Sequence, residues 1–395
     1  MYLTKEEEHI YDGEHGWASQ ICMKILVRLG DLFNADKLIP ISSAHVSGVS
    51  YKTLGDASAE FLKALADAGG KAHARATLNP QSFDTEYLKQ RLPAELYERQ
   101  MNIIEQFEKM GFIQSLTCTP YYLEKPRVNS HLAWAESSAV VYANSVLGAW
   151  TNREGGPSAL AAAIIGKTPN YGMHKVENRE PRILVKMETR LKNEMEFGAL
   201  GVHLGKILED KIPVIHGLRN LSEEGLKQLG AALATTGMTN MFYYGEHSKQ
   251  GSLERVSVEA GDIKNAIESL STASKPKPDL IFIGCPHCSL REIKKIAGLM
   301  NGKKVREGVE LWVCTSRYVK EKARKYVEKI EGSGGHVLAD VCPVVSWTEK
   351  LGIKTIMTNS AKTAYYAPTL CGVDATLASL RECVKTACGE TLTSQ

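Results

Sequence analysis

The chain is 395 residues long, 43% hydrophobic and 24% charged, with a formal net charge of +3. That length supports two or three domains with real cores, and so balanced a charge gives no reason to invoke nucleic acid or a membrane surface. No apolar run approaches a membrane span, the acidic start is no signal peptide, and nine scattered cysteines read as reduced thiols of a cytoplasmic protein.

Residues 6–33 read as one helix, with Ile21, Ile25, Leu29 and Leu32 on its apolar face. A strand is expected over 38–42, then a small-residue loop over 44–51, and a helix over 54–68 stopped by Gly69-Gly70. Residues 71–78 alternate like a strand and end at Asn79-Pro80. A helix over 92–110 and a strand over 111–118 follow, running into Thr119-Pro120. Residues 131–147 suit a buried segment, and 151–158 form a loop of charges and glycines. A strand is expected over 182–191, a glycine-bearing segment packed against backbone over 197–208, and a helix capped by Ser222. Residues 269–278, rich in Ser, Lys and Pro, read as a linker. Four strands are then expected over 280–283, 309–313, 336–340 and 354–357, with helices from Ser289 and from about Ser316 separating the first three. Strand, polar loop and helix in repetition indicate an α/β fold with mostly parallel sheets. The expected lobes are 1–150, 151–275 and 276–395.

Cys285-Pro-His-Cys288 is a CxxC between a strand and a capped helix. A zinc site needs a second ligand pair that the sequence lacks, and a thioredoxin-like motif belongs in a much smaller domain. A different grouping is more informative. Cys118, Cys285 and Cys342 each stand at the end of an expected strand, with proline next or one residue on. Ligands bind at the carboxyl ends of parallel strands. Three separated thiolates there could hold an iron–sulfur cluster with one iron open as a Lewis acid; three core cysteines at strand ends is the plainer alternative, and spacing leaves both standing. Ser47-Gly48-Val49-Ser50 offers amides to an anion or is a plain turn. Asn79 and the stretch 359–363 offer polar groups at other strand ends, and Arg153 lies among glycines. His45, His131, His203 and His287 have no metal spacing and read as structural.

Together these stretches resemble the aconitase X family over nearly the whole chain. The resemblance is carried, in order, by residues 47–51, 78–82, 117–122, 134–138, 144–157, 284–287, 340–344 and 358–363. It implies an aconitase-like, multi-lobed α/β/α architecture and a hydro-lyase that dehydrates a hydroxy acid. It also implies a [4Fe–4S] cluster on Cys118, Cys285 and Cys342 with one iron lacking a protein ligand. Gly48, Val49, Ser50, Asn79, Pro80, Glu136, Ser137 and Lys362 are the implied substrate contacts, with Arg153 a further candidate and Glu136 open to a purely structural role. Family members also carry a smaller swivelling domain, fused or separate. The chain stops soon after its last family-like segment, so a separate small subunit is expected to bring that domain and the catalytic serine, and no catalytic residue is assigned to this chain. Two substrates fit the family: mevalonate 5-phosphate, favoured by the two-subunit form and the Lys/Glu-rich helices, and cis-3-hydroxy-L-proline. A non-enzymatic iron–sulfur sensor or scaffold is the remote alternative.

Overall fold

A computed structural model describes residues 1–245, 253–273 and 277–390. The chain forms two compact units: Met1–Phe83 with Pro93–Glu180, and Asp84–Leu92 with Pro181–Gln395.

The first unit is built on three parallel strands in the order Arg75–Leu78, Ser43–Val46, Leu132–Trp134. The central strand takes the first three residues, 44–46, of the expected loop over 44–51. It is paired on both edges, and Ala44, His45 and Val46 are buried. A strand with no polar face shows no alternation, which is why its small mixed residues read as a loop. Leu26, Leu65, Leu78 and Ile103, all at 0% exposure, belong to the core beneath, together with the Ala-rich helix Gly156–Ile165. Leu38–Pro40 pairs antiparallel with Lys167–Pro169 at one side.

Two further expectations fail in this unit. The single helix over 6–33 is two, Lys5–Asp12 and Trp17–Leu32, because Gly13 takes φ 98° and closes the first turn-off. Residues 111–118 make only one bridge, Ile113 to Thr77, instead of a strand. The Ser115 hydroxyl accepts from Leu78 N and donates to Leu78 O, both at 2.9 Å, and so takes the place of a backbone partner.

The second unit has two parallel sheets. In one, the order is Tyr243–Tyr244, Pro213–His216, Ile183–Met187, Glu254–Val258. Helices Glu194–Leu208 and Glu223–Thr236 pack closely together. A Cβ at Gly201 would lie 2.6 Å from Leu229 O, and one at Gly205 2.2 Å from Thr236 Oγ1. The expected backbone packing of 197–208 is therefore found, as is the Ser222 cap, whose side chain accepts from Gly225 N.

The other sheet runs His336–Ala339, Glu310–Thr315, Leu280–Ile283, Thr355–Thr358, Asp374–Leu377, all parallel. Chain order proceeds outward from Leu280–Ile283 to one edge and then restarts on its other side at Thr355–Thr358. This is a doubly wound sheet, and the reversal makes a switch point where connections diverge at the carboxyl ends of those two strands. The helix expected from Ser316 breaks at Ala323 into Arg317–Lys322 and Arg324–Gly332 and still buries Val319, Ala323, Val327 and Ile330. The edge strand Asp374–Leu377 had no counterpart in the sequence reading. Of the expected linker 269–278, residues 274–276 lie outside the described residues. Its described first half is docked on that edge: Thr272 N and Ala273 N donate to Ala375 O at 2.8 and 3.1 Å, and so pair the sheet's open side.

Candidate functional site

In the first unit the candidate residues lie on the turns that follow the three strands. Residues 47–50 leave the central strand, Asn79 and Pro80 leave one neighbour, and Glu136 and Ser137 leave the other. Arg153 bridges Trp134, and Gly156 lies so close to Ser47 that a Cβ would stand 2.8 Å from Ser47 O. Gly156 is thus what lets the Arg153 loop lie against the Gly48 loop. Gly48 itself sits at φ 75°. Arg153 and Ser137 are half-buried, whereas Val49, Ser50 and Glu136 are buried.

A polar chain runs through this carboxyl edge. His45 Nδ1 lies 2.8 Å from Thr77 Oγ1, and His45 Nε2 lies 3.4 Å from Asn79 Oδ1. Asn79 Nδ2 donates to Glu136 Oε2 at 2.9 Å, which leaves Asn79 Oδ1 as the acceptor facing the ring. Nε2 therefore carries the proton, and Nδ1 accepts from the Thr77 hydroxyl in preference to that hydroxyl's longer contact with Ala44 O at 3.3 Å. The other oxygen of Glu136 accepts from Ser138 Oγ at 2.7 Å and Ser138 N at 3.3 Å. Burial pushes the His45 ring down to about 4, against the opposing pull of Glu136 and Asn79. The ring is neutral at neutral pH and orients the Asn79 amide. Glu136 is thus anchored by protein donors, as its structural reading requires, while its position at the strand ends suits the binding role as well.

One glutamine sets the Gly48–Val49–Ser50 loop. Gln100 Nε2 donates to Val49 O, and its Oε1 accepts from Tyr51 N, both at 2.9 Å. The same Oε1 accepts from Ser82 Oγ at 3.0 Å, and Ser82 in turn is hydrogen-bonded to the Ser50 hydroxyl. The cavity beside Gly48, about 430 Å³, is lined by Val46, Leu54, Phe61, Phe107 and Leu160. Ser47 and Ser58 add hydroxyls to this otherwise apolar wall. Glu154, next to Arg153, is a buried structural carboxyl: it accepts from Ser158 Oγ at 2.5 Å and Thr168 Oγ1 at 3.2 Å, and burial raises its pKa. Cys118 is buried just past the carboxyl end of Arg75–Leu78, where Thr117 N donates to Leu78 O at 3.0 Å.

In the second unit Cys285 follows Leu280–Ile283 at the switch point. Gly284, at φ 118°, makes the turn possible: a Cβ there would lie 2.3 Å from Cys314 O. The Cys285–Pro286 bond is cis. Ser289 and Glu292 form the expected capping box of helix Leu290–Leu299. Helix Glu223–Thr236 holds the turn from one side. Gln228 Nε2 donates to Cys285 O at 3.2 Å, and Lys227 Nζ to His287 O at 3.1 Å, while Lys227 is also paired with buried Glu292 at 2.5 Å. Cys288 is held by its backbone, with its N donating to Cys314 O at 2.9 Å and its O accepting from Thr315 Oγ1 at 2.7 Å. Burial raises the Cys288 thiol well above its usual range, as suits a core cysteine.

Cys342, half-buried, follows His336–Ala339 after Asp340, which sits at φ 69°. Arg317 fixes that turn, its backbone N donating to Asp340 Oδ1 at 3.1 Å and its guanidinium to Oδ2 at 2.6 Å. Lys362 is half-buried in the helix Ala361–Tyr366 on the far side of the switch point, behind the Ser360 cap. The buried oxygens Gln228 Oε1 and Thr363 Oγ1 have no hydrogen-bond partner among the described residues.

Several residues of these frameworks escaped the sequence reading: His45 and Lys227 as organisers, Gln100, Gln228, and Cys371, whose sulfur lies 3.7 Å from Val344 O beside the Cys342 turn. One signal was available. Gln100 stands three, four and seven residues before Ile103, Ile104 and Phe107, a polar residue on an apolar helix face. Among the described residues, no three His, Cys, Asp or Glu side chains converge to hold a single metal ion. An iron–sulfur cluster engages each cysteine through its own iron and does not need such convergence.

Models of three successive domains match the chain: Aconitase X first domain over residues 1–177, second domain over 181–268 and third domain over 278–389. The chain is similar to the phosphomevalonate dehydratase large subunit of Methanocaldococcus jannaschii, at 46% identity over 98% of this chain and 100% of that one. It is less similar to the cis-3-hydroxy-L-proline dehydratase of Hypocrea jecorina, at 32% identity over 98% of this chain and 68% of that one. The holo-form crystal structure of Thermococcus kodakaraensis aconitase X superposes with a TM-score of 0.91 at 43% identity, covering 98% of this chain and 100% of that one.

Proposed function

This chain belongs to the aconitase X family, and on that premise we propose that it is the large subunit of a hydro-lyase that dehydrates (R)-mevalonate 5-phosphate to trans-anhydromevalonate 5-phosphate, a step of isoprenoid synthesis. The observation that carries this reading is the full-length likeness to archaeal large subunits of that name, well above the likeness to the hydroxyproline enzymes. A separate small subunit, implied by the relatives' names, is proposed to bring the swivelling domain and the serine that acts as base.

Cys118, Cys285 and Cys342 are the proposed ligands of a [4Fe–4S] cluster. The donor set fits: soft thiols, each on a turn at the carboxyl end of a strand, with Gly284 leaving no side chain in the Cys285 turn. When bound, the cluster would supply a Lewis-acidic iron that assists loss of the substrate hydroxyl. The chain's own residues bind and orient. Arg153 and Lys362 are half-buried cations suited to the substrate's carboxylate and phosphate. Asn79, with Pro80 holding its turn, and Glu136 present a fixed amide and carboxylate, and the amides of Gly48, Val49 and Ser50 with the Ser137 hydroxyl add further donors. The phosphate lies away from the reacting carbons, so its binding energy orients them.

The test is an assay of the co-expressed large and small subunits on both compounds. Water loss from mevalonate 5-phosphate, with unphosphorylated mevalonate handled poorly, is expected. Turnover of cis-3-hydroxy-L-proline alone would overturn the substrate.

A further inference from the structure

The CxxC turn carries one side chain whose contact leaves the turn altogether. His287, 1% exposed, places Nε2 at 2.9 Å from Val341 O. A carbonyl only accepts, so Nε2 carries the proton. Val341 directly precedes Cys342, and His287 lies two residues past Cys285. The imidazole therefore joins the two cysteine turns of the second unit across the end of the intervening strand Glu310–Thr315.

The other anchors of the motif lie on helix Glu223–Thr236 and on the intervening strand, whose Thr315 also accepts from Asp340 N at 3.0 Å and so touches both turns. Gln228 and Lys227 hold the carbonyls of Cys285 and His287, and Cys314 and Thr315 hold Cys288. Arg317 holds the Cys342 turn through Asp340. The His287 hydrogen bond adds a direct side-chain tie between the two turns to this shared support from the strand between them. That bond is buried, so removing the donor leaves a carbonyl that water cannot easily reach.

From this geometry we propose that His287 is a positioning residue, which fixes the Cys342 turn against the Cys285 turn and so sets the spacing of the two thiols that receive the iron–sulfur cluster. The inference rests on the reading of Cys285 and Cys342 as cluster ligands. The role needs a donor at the reach of Nε2. Glutamine supplies one; asparagine, a methylene shorter, does not.

The test compares His287→Gln with His287→Asn, using the large subunit co-expressed with its partner and purified without oxygen. Two readouts are taken: iron and sulfide per chain with the electron paramagnetic resonance spectrum of the reduced cluster, and, after iron removal, the rate of iodoacetamide labelling at Cys285 and Cys342. His287→Gln is expected to match the parent. His287→Asn is expected to lose at least half its iron, shift the resonance spectrum, and label Cys342 about tenfold faster. Parent-like iron, spectrum and labelling in His287→Asn would overturn the proposal, and so would equal losses in both variants. Cys285→Ser and Cys342→Ser serve as controls: full iron in both would refute the ligand assignment itself, while the labelling rates still report whether His287 couples the turns.

Discussion

In the first unit a neutral imidazole organises the polar side chains: Thr77, His45, Asn79 and Glu136 pass hydrogen bonds along the strand ends, with His45 at 0% exposure. In the second unit a buried charge pair, Lys227 with Glu292, stands behind the cysteine turn. The two devices do the same work, holding a turn at the carboxyl end of a parallel strand, but they fail differently. A neutral histidine is lost by protonation. A buried ion pair is lost when one member is removed and the other is left buried without its partner.

The largest stability effect is expected at that pair. Lys227→Ala leaves Glu292 buried without its cation and should destabilise the second unit by about 3–5 kcal/mol. The double variant Lys227→Met/Glu292→Leu should recover most of the loss in denaturant titrations followed at Trp312. No recovery would mean that the hydrogen bond to His287 O, not the charge pair, dominates. Gly284→Ala should cost more than about 3 kcal/mol, because the side chain meets backbone 2.3 Å away and takes a left-handed φ. A parent-like melting curve for that variant would show that the turn has room to shift.

The first unit should respond to acid instead. Burial lowers His45 to about 4 and His174 to about 3, so the unfolded chain binds more protons than the folded one below about pH 6.5. Stability is fully present above that pH and falls as pH drops toward 4, by roughly 3 kcal/mol for His45 alone. Glu154, whose pKa burial raises, acts in the opposite sense, favouring the folded state at the acid end. His45→Gln should flatten the acid limb seen by Trp134 and Trp150 fluorescence. An unaltered limb would remove His45 from the account. The smallest effect is expected at Lys362: the Ala variant should raise KM about tenfold with cluster content unchanged, and unchanged kinetics would exclude a binding role.

The same comparison explains what could be read from the sequence. In the doubly wound sheet, Leu280–Ile283 was found to the residue because an all-apolar run ends at Gly284 and a capping box follows. The central strand of the first unit was taken for a loop because Ala44-His-Val is small, mixed and buried on both faces. The edge strand Asp374–Leu377 opens with an exposed aspartate and is only four residues long, too short for periodicity to show. The site residues were carried over from the family resemblance onto matching segments, most of which fall on turns after strands. The partners that hold them, Gln100, Lys227 and Gln228, come from helices distant in sequence, and only folding brings them to those turns.

The most direct measurement is iron and sulfide content across a cysteine series made without oxygen, with Cys118, Cys285, Cys342, Cys288 and Cys371 each changed to serine. The account predicts loss of the cluster in the first three and retention in Cys288→Ser and Cys371→Ser. Cluster loss in Cys288→Ser with retention in Cys342→Ser would contradict it, because the CxxC would then supply both thiols and the turn at Asp340 would be only structural.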